Sequence, residues 1–319
     1  MVPATEGSAP PRRLNAVADC SIAVIINPIS GTRHGIVEAR ARAAYAARFI
    51  ASRGGDPSLV FLTERPGHAR ELAAAALARG VSTIVAWGGD GTMNEVGAAV
   101  AFTDAAIAVV PSGSGNGLAR ELQIPRDHGA ALDLAYHGRE IMIDAGEIDG
   151  RLFFNIAGIG LDARVAHRFA DTNLGRRGFS RYMQITLSEL MSYVPVQLAI
   201  TTDSGSMDAT ALIVAIANGR QYGNGAVIAP QARFDDGRLD VVVVRHRSPL
   251  RTLVEVPLIF MARPQYLSGV SMESAESVLI TSPHPVTYHL DGEPIAGTLK
   301  LQFRACPRAL RIKVPPNRQ

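Results

Sequence analysis

Between residues 22 and 125 the chain repeats one unit: a short apolar strand, a loop and a helix rich in Ala. Ile22–Ile26, Leu59–Leu62, Thr83–Ala86 and Ile107–Val110 are continuous apolar or β-branched runs, too short for helices and suited to burial on both faces. Helices are predicted over Val37–Ile50, Gly67–Arg79, Met93–Val100 and Leu118–Leu122. This alternation constrains the fold to a parallel sheet with helices on both faces. Ligands of such sheets bind at the carboxyl ends of the strands. Three glycine-bearing loops stand there: Asn27-Pro28-Ile29-Ser30-Gly31, Gly88-Gly89-Asp90-Gly91-Thr92 and Pro111–Gly117.

After about residue 135 the pattern changes. Ile141–Asp144, Leu152–Ile156, Val196–Thr202, Ala211–Ala217, Leu239–Val244, Val278–Thr281, Val286–Leu290, Thr298–Phe303 and Leu310–Val314 read as strands. Helices are predicted at Asp162–Phe169, Arg181–Tyr193 and Leu250–Met261. Many short strands with Gly, Pro and Asp turns predict a β-sandwich. The expected organisation is an α/β domain over 1–135, with 1–20 as a tail, and a β-sandwich over 136–319. The boundary falls near Arg126–Arg139, and the last strand is expected to return towards the first domain.

Composition restricts the chemistry. Of 32 Lys and Arg residues only Lys300 and Lys313 are lysines, and both stand in the last twenty positions. There is no GxxxxGK[ST] loop and no lysine in the N-terminal half to hold phosphates. Phosphate chemistry must then use amides, hydroxyls, Arg and metal. Two cysteines, Cys20 and Cys306, support neither a zinc cluster nor a disulfide framework. Eight histidines stand at no metal-ligand spacing, so a catalytic zinc is not expected. No nucleic-acid module is present. The polar stretch Met1–Pro11 has no apolar core, and no apolar run reaches the ~18–20 residues of a membrane span. A cytoplasmic protein is expected, with a net charge of +3 that permits contact with an anionic membrane.

The second loop carries the strongest signal. Its three glycines let backbone approach an anion closely, and its amides adjoin a helix N-terminus. Asp90 can hold Mg²⁺ or water, Thr92 offers a hydroxyl, and Asn94 and Glu95 follow in the first helical turn. Gly-Asp-Gly-Thr alone is common turn chemistry. Three such loops on one sheet edge argue for a nucleotide cleft. Trp87 reads as packing.

Further motifs follow in order: Asn155–Asp162 (NIAGIGLD), Asn218-Gly219 with Gly223–Pro230, Asp236-Gly237-Arg238-Leu239-Asp240 and Asp291-Gly292-Glu293. With the three loops, the chain resembles the diacylglycerol kinase catalytic family of lipid kinases, which includes bacterial lipid kinases and the sphingosine and ceramide kinases. The resemblance covers nearly the whole chain. It implies a nucleotide-binding domain like that of NAD kinases, a C-terminal β-sandwich, and ATP in the cleft between them. The implied nucleotide contacts are Asn27, Pro28, Ile29, Ser30, Gly31, Thr63, Gly89, Asp90, Gly91, Thr92, Met93, Asn94, Glu95 and Ser114, with Arg33 as a looser transfer.

Asp291-Gly292-Glu293, taken alone, is a hairpin turn between two strands. The resemblance makes Glu293 the proton acceptor and places Asp291 in an acidic network with Asp90 and Asp144. It also implies a structural Mg²⁺ on Asp236 and the carbonyl of Arg238. Arg233 stands where a third ligand belongs, and a guanidinium cannot bind a cation.

The third loop departs from bacterial diacylglycerol kinases. Gly117 stands where they carry an acidic residue, which is closer to the sphingosine and ceramide kinases. The second loop favours the diacylglycerol side. The expectation is an ATP- and Mg²⁺-dependent lipid kinase acting on a primary hydroxyl, with diacylglycerol as acceptor, working at a membrane surface. Arg176–Tyr182, which mixes basic and aromatic residues, is either a solvated face or a headgroup contact. A homodimer is also implied. The rivals are a sphingosine- or ceramide-type acceptor, an NAD kinase-like phosphotransferase and a non-catalytic nucleotide or lipid sensor.

Overall fold

The computed structural model describes residues 21–31, 35–171, 179–248 and 269–316. The Met1–Pro11 tail, Cys20, Arg33, Arg176, Arg177 and the predicted Leu250–Met261 helix lie outside them, as do the side chains of Phe179–Tyr182.

The first half is built as the alternation requires. Strands β1 (Ile22–Ile26), β2 (Val60–Leu62), β3 (Thr83–Gly88) and β4 (Ala106–Pro111) pair in parallel in the order β4-β3-β1-β2. Every residue of β1, β3 and β4 is buried, as two-sided cover demands. Helices α1 (Ile36–Ala51), α2 (His68–Ala78), α3 (Asp90–Val100) and α4 (Gly117–Glu121) follow the strands. The sequence reading omitted α5 (His128–His137). Its Asp127 cap accepts the Ala130 N–H at 2.8 Å, and Ala131, Leu132 and Leu134 join the first core.

The second half is a β-sandwich of antiparallel strands: β5 (Arg139–Ile148), β6 (Arg151–Phe153), β7 (Ile156–Gly160), β8 (Val196–Thr202), β9 (Gly205–Ala217), β10 (Leu239–Arg245), β11 (Val270–Ala275), β12 (Ser277–Leu290) and β13 (Glu293–Val314). Helices α6 (Leu161–Asp171) and α7 (Phe179–Ser192) interrupt it. Strand β8 alternates, with Leu198 and Ile200 buried and Gln197, Ala199 and Thr201 exposed. Strand β10 divides its valines: Val241 and Val243 enter the sandwich interior, while Val242 packs with Ile228 and Ala229.

Several readings differ in extent, with β5 and β9 running beyond the predicted Ile141–Asp144 and Ala211–Ala217. Leu152–Ile156 is not one strand, because it splits at Phe154 and Asn155, whose amides turn to a carboxylate described below. Val278–Thr281 and Val286–Leu290 are parts of one irregular strand. Thr298–Phe303 and Leu310–Val314 likewise join in β13, whose register shifts between Cys306 and Leu310 around left-handed Arg308. The joins were hidden because turn-forming Pro283, Pro285 and Pro307 stand inside them.

Strand β13 ties the halves together. It pairs with β12 over Glu293–Arg304, with β5 over Arg304–Val314, and in parallel with β4 through Arg311 and Ile312. Ala309, Leu310, Ile312 and Val314 are buried in the first core. This places the β12–β13 turn, Asp291-Gly292, opposite the glycine loops.

Candidate active site

The three glycine loops are locked to one another. Asn27 Nδ2 donates to Thr92 Oγ1 at 3.0 Å, joining the first loop to the second. The Ser30 and Ser112 hydroxyls, 2.8 Å apart, join the first to the third. The second and third loops touch through backbone: a Cβ on Gly113 would stand 2.6 Å from Gly89 Cα. No larger residue fits that contact. Behind the first loop lies buried Arg42 of α1, which the sequence reading missed. It donates to the carbonyls of Ser30 (3.3 Å) and Pro28 (3.1 Å) and to Ser30 Oγ (3.3 Å). A mid-helix arginine carries no motif, so only the fold could reveal it.

The expected acidic residues take different roles. Asp90 accepts the Asn116 and Gly117 N–H groups, both at 2.8 Å, and so clasps the third loop. Burial, with the nearby charge of Asp291, raises its pKa to about 6 against the pull of those amides. Glu95 lines the cleft, but its two oxygens accept from Gly67 N (2.9 Å) and Ala69 N (3.0 Å) at the start of α2. A carboxylate there also satisfies the helix dipole. Asn94 bridges Leu152 O and Asp291 Oδ2 rather than lining the cleft. Met93 is packed in the first core, so its side chain is turned away from any nucleotide.

Asp291 is a brace. Its carboxylate accepts from Phe154 N (2.8 Å), Asn155 N (2.9 Å), Ile156 N (3.1 Å) and Asn94 Nδ2 (2.8 Å). Burial pushes its carboxyl upward and the four donors oppose it. Asp144 does not share its network. It accepts from Gly237 N (2.7 Å) and Arg308 N (2.6 Å), fastening the 234–237 loop to β13. Glu293 differs from all of these, since no described residue donates to its carboxylate. It is solvent-accessible and borders the second loop: a Cβ on Gly91 would lie 3.0 Å from its Oε1. Crowding by protein, together with Glu95 and Asp291, holds its pKa above the usual range.

Asn27, Pro28, Ile29, Ser30, Gly31, Thr63, Gly89, Asp90, Gly91, Thr92, Ser114 and Glu293 all line one cleft of about 900 Å³. Its far end is apolar, walled by Leu161, Val165, Phe169, Leu187, Leu190 and Leu212 from α6, α7 and β9. Buried Glu189 of α7 pins these helices together by pairing with Arg164 and Arg168 of α6. Asp162, the last residue of the Asn155–Asp162 motif, stands in the same wall with Tyr222 and His289, which no sequence motif includes.

The third loop's departure has a steric cause. A Cβ on Gly117 would lie 2.5 Å from Asn155 Nδ2 and 2.9 Å from the Tyr222 carbonyl. An acidic side chain cannot stand there while Asn155 and Tyr222 keep these positions.

At the implied structural-metal segment the side chains are engaged with protein. Asp236 Oδ1 closes a turn on Arg238 N at 3.0 Å, and the Arg238 guanidinium binds Asp203 and Glu276. Arg233 pairs with Asp235. Among the described residues no three His, Cys, Asp or Glu side chains are grouped to hold a metal ion.

The comparisons place this architecture. Residues 21–148 match the diacylglycerol kinase catalytic domain, and residues 155–314 match the YegS C-terminal NAD kinase beta sandwich-like domain. A Pseudomonas aeruginosa protein named "Probable lipid kinase YegS-like" is 35% identical over 285 residues, covering 86% of this chain and 89% of that protein.

The chain belongs to the diacylglycerol kinase catalytic-domain family.

A second family member, of the same name and from Klebsiella pneumoniae, is 31% identical over 262 residues, covering 81% of this chain and 86% of its own. Solved structures share the family fold. A diacylglycerol kinase from Bacillus anthracis superposes with a TM-score of 0.69 at 18% identity, covering 93% of this chain and 97% of its own. An NAD kinase from Archaeoglobus fulgidus in complex with ATP gives 0.51 at 10% identity, covering 92% and 94%. The family's α/β plus β-sandwich architecture is the one the sequence predicted.

Proposed function

We propose that the protein is an ATP-dependent lipid kinase that phosphorylates a primary hydroxyl of a lipid, with diacylglycerol as the acceptor. One observation carries this reading. A single cleft joins an amide- and hydroxyl-lined end, a carboxylate at Glu293 that has no partner among the described residues, and an apolar end. That sequence of surfaces suits a nucleotide, a reacting hydroxyl and an acyl chain in order. Residues before about 135 would hold the nucleotide, and those after it the lipid and Glu293.

ATP would lie on the three loops, with its phosphates at the start of α3, where amides and the helix dipole favour anions. Mg²⁺ would arrive with ATP as part of the substrate and neutralise phosphate charge. The acceptor oxygen attacks the γ-phosphorus, the bond from phosphorus to the β–γ bridging oxygen breaks, and ADP leaves. Glu293 takes the hydroxyl proton as the new O–P bond forms. Its raised pKa makes it a better base than an ordinary carboxylate.

Exposed Leu187, Met191 and Val194, on and beside α7 near the apolar end, support approach to a membrane surface. Among the described residues no helix is long and apolar enough to cross one. The absent acidic group at Gly117 favours a second reading, a ceramide or sphingoid acceptor in the same cleft. Labelled ATP tested against diacylglycerol, ceramide, sphingosine, phosphatidylglycerol and NAD separates them. Transfer to diacylglycerol that is lost in Glu293→Gln supports the first reading. Transfer to NAD alone, or to nothing, overturns the lipid-kinase reading.

A further inference from the structure

A buried polar chain runs through the cleft wall and ends on the turn that carries Glu293. The Tyr222 hydroxyl donates to Asp162 Oδ2 at 2.8 Å. His289 Nε2 stands 3.4 Å from the same oxygen, and both Asp162 and His289 are buried. On the other side of the ring, the Gly292 N–H donates to His289 Nδ1 at 3.2 Å. That bond needs a lone pair on Nδ1, so the neutral ring carries its proton on Nε2, facing Asp162. Gly158 makes room for the pair: a Cβ there would meet Asp162 Oδ2 at 2.0 Å and His289 Nε2 at 2.5 Å.

The turn is closed by the pairing of Leu290 with Glu293, and the Gly292–His289 bond adds a side-chain contact at its second residue. Asp291 and Gly292 both have left-handed backbone, at φ 49° and 89°, the geometry of a two-residue hairpin turn. Asp291 is anchored by its four donors. Nothing lies within 4 Å of where a Gly292 Cβ would be. Beyond the ladder pairing of Leu290 with Glu293, the Gly292 N–H bond to His289 is a side-chain restraint on the residue next to Glu293.

Resting on the kinase reading above, we propose that His289 is a positioning residue: through Gly292 it holds the Glu293 carboxylate on the acceptor hydroxyl, while Asp162 and Tyr222 set its ring. The residue touches neither phosphate nor proton in transit. A histidine that only fills the wall would leave kcat and the Glu293 titration indifferent to which ring nitrogen a substitute mimics.

Two substitutions separate the nitrogens. His289→Asn keeps an acceptor near the Nδ1 position, and His289→Gln keeps a donor near the Nε2 position only. Two readouts are needed: steady-state transfer to lipid in mixed micelles, and the ¹³C titration of the Glu293 carboxyl, which requires no substrate. His289→Gln is expected to lower kcat about ten- to a hundredfold with KM for ATP unchanged, as a misplaced catalytic group does. It should also move the Glu293 titration towards that of an ordinary glutamate. His289→Asn should keep kcat within about threefold, the scale of one ordinary hydrogen bond, and leave the titration in place. Equal behaviour of the two variants in both readouts overturns the proposal. A wild type that phosphorylates no lipid, with the Glu293 titration still separating Gln from Asn, sinks the kinase reading and leaves the positioning role standing. Should either variant fail to fold, the ¹⁵N spectrum of wild-type His289 decides: a proton on Nε2 supports the proposal and a proton on Nδ1 overturns it.

Discussion

The two carboxylates of Asp291-Gly292-Glu293 stand two residues apart and should fail in opposite ways. In Asp291→Asn one carboxylate oxygen becomes an NH₂ group. Oδ2 accepts from Phe154 N and Asn94 Nδ2, and Oδ1 accepts from Asn155 N and Ile156 N. Whichever way the amide lies, two buried donors lose their acceptor and face another donor. At about 1–3 kcal/mol for each orphaned group, the loss is about 2–6 kcal/mol, a large part of an ordinary stability. Glu293→Gln removes a charge that no described residue pairs with, so stability should stay within about 0.5 kcal/mol. Its kcat should fall about 10²- to 10⁴-fold, the usual contribution of a general base. Urea unfolding followed by circular dichroism, beside transfer of labelled phosphate to diacylglycerol, measures both. The reasoning is refuted if Asp291→Asn unfolds at the wild-type midpoint, or if Glu293→Gln loses stability and keeps its rate.

Asp90 makes stability depend on pH. Its folded pKa is about 6 against an ordinary 3.8, so the folded protein holds a proton that the unfolded chain releases between those values. The stabilisation is full below 3.8 and is lost as pH rises through 6; at about 1.4 kcal/mol per pH unit it amounts to about 3 kcal/mol. Urea midpoints of wild type minus Asp90→Asn should show that fall, and a flat difference speaks against it. Arg42→Met leaves the Ser30 and Pro28 carbonyls without their donor, so ATP affinity by calorimetry should drop about tenfold; unchanged affinity would show that the first loop does not need it. Gly117→Asp forces Asn155 and the Tyr222 backbone apart, at a cost of about 1–3 kcal/mol by thermal unfolding. A variant as stable as wild type would mean that the loop yields freely.

Glycine loops and their order along the chain were legible because they are local. The apolar runs of β1, β3 and β4 announce burial on both faces, and a loop after each such strand has one place to go. The motif Asp291-Gly292-Glu293 was legible as a place in the chain, but not as two different carboxylates. Nothing in three letters says that Asp291 is claimed by four N–H donors while Glu293 is claimed by none among the described residues. The same holds for Glu95, read as a nucleotide contact and found capping α2, and for Asp144, read as acidic machinery and found fastening a loop. Arg42, Tyr222 and His289 gave no signal at all, since each meets a partner across at least a dozen residues, as with Tyr222 and Asp162, 60 positions apart.

By itself the sequence determined the strand–loop–helix alternation, the change to sandwich patterning near residue 135 and the absence of a phosphate-binding lysine in the first half. These depend on neighbours a few residues apart and on side-chain polarity. The tertiary structure alone decided which carboxylate is left unclaimed. That depends on which amides and guanidinium groups arrive beside each carboxylate, and the long pairing of β13 with β12, β5 and β4 brings them there from opposite ends of the chain.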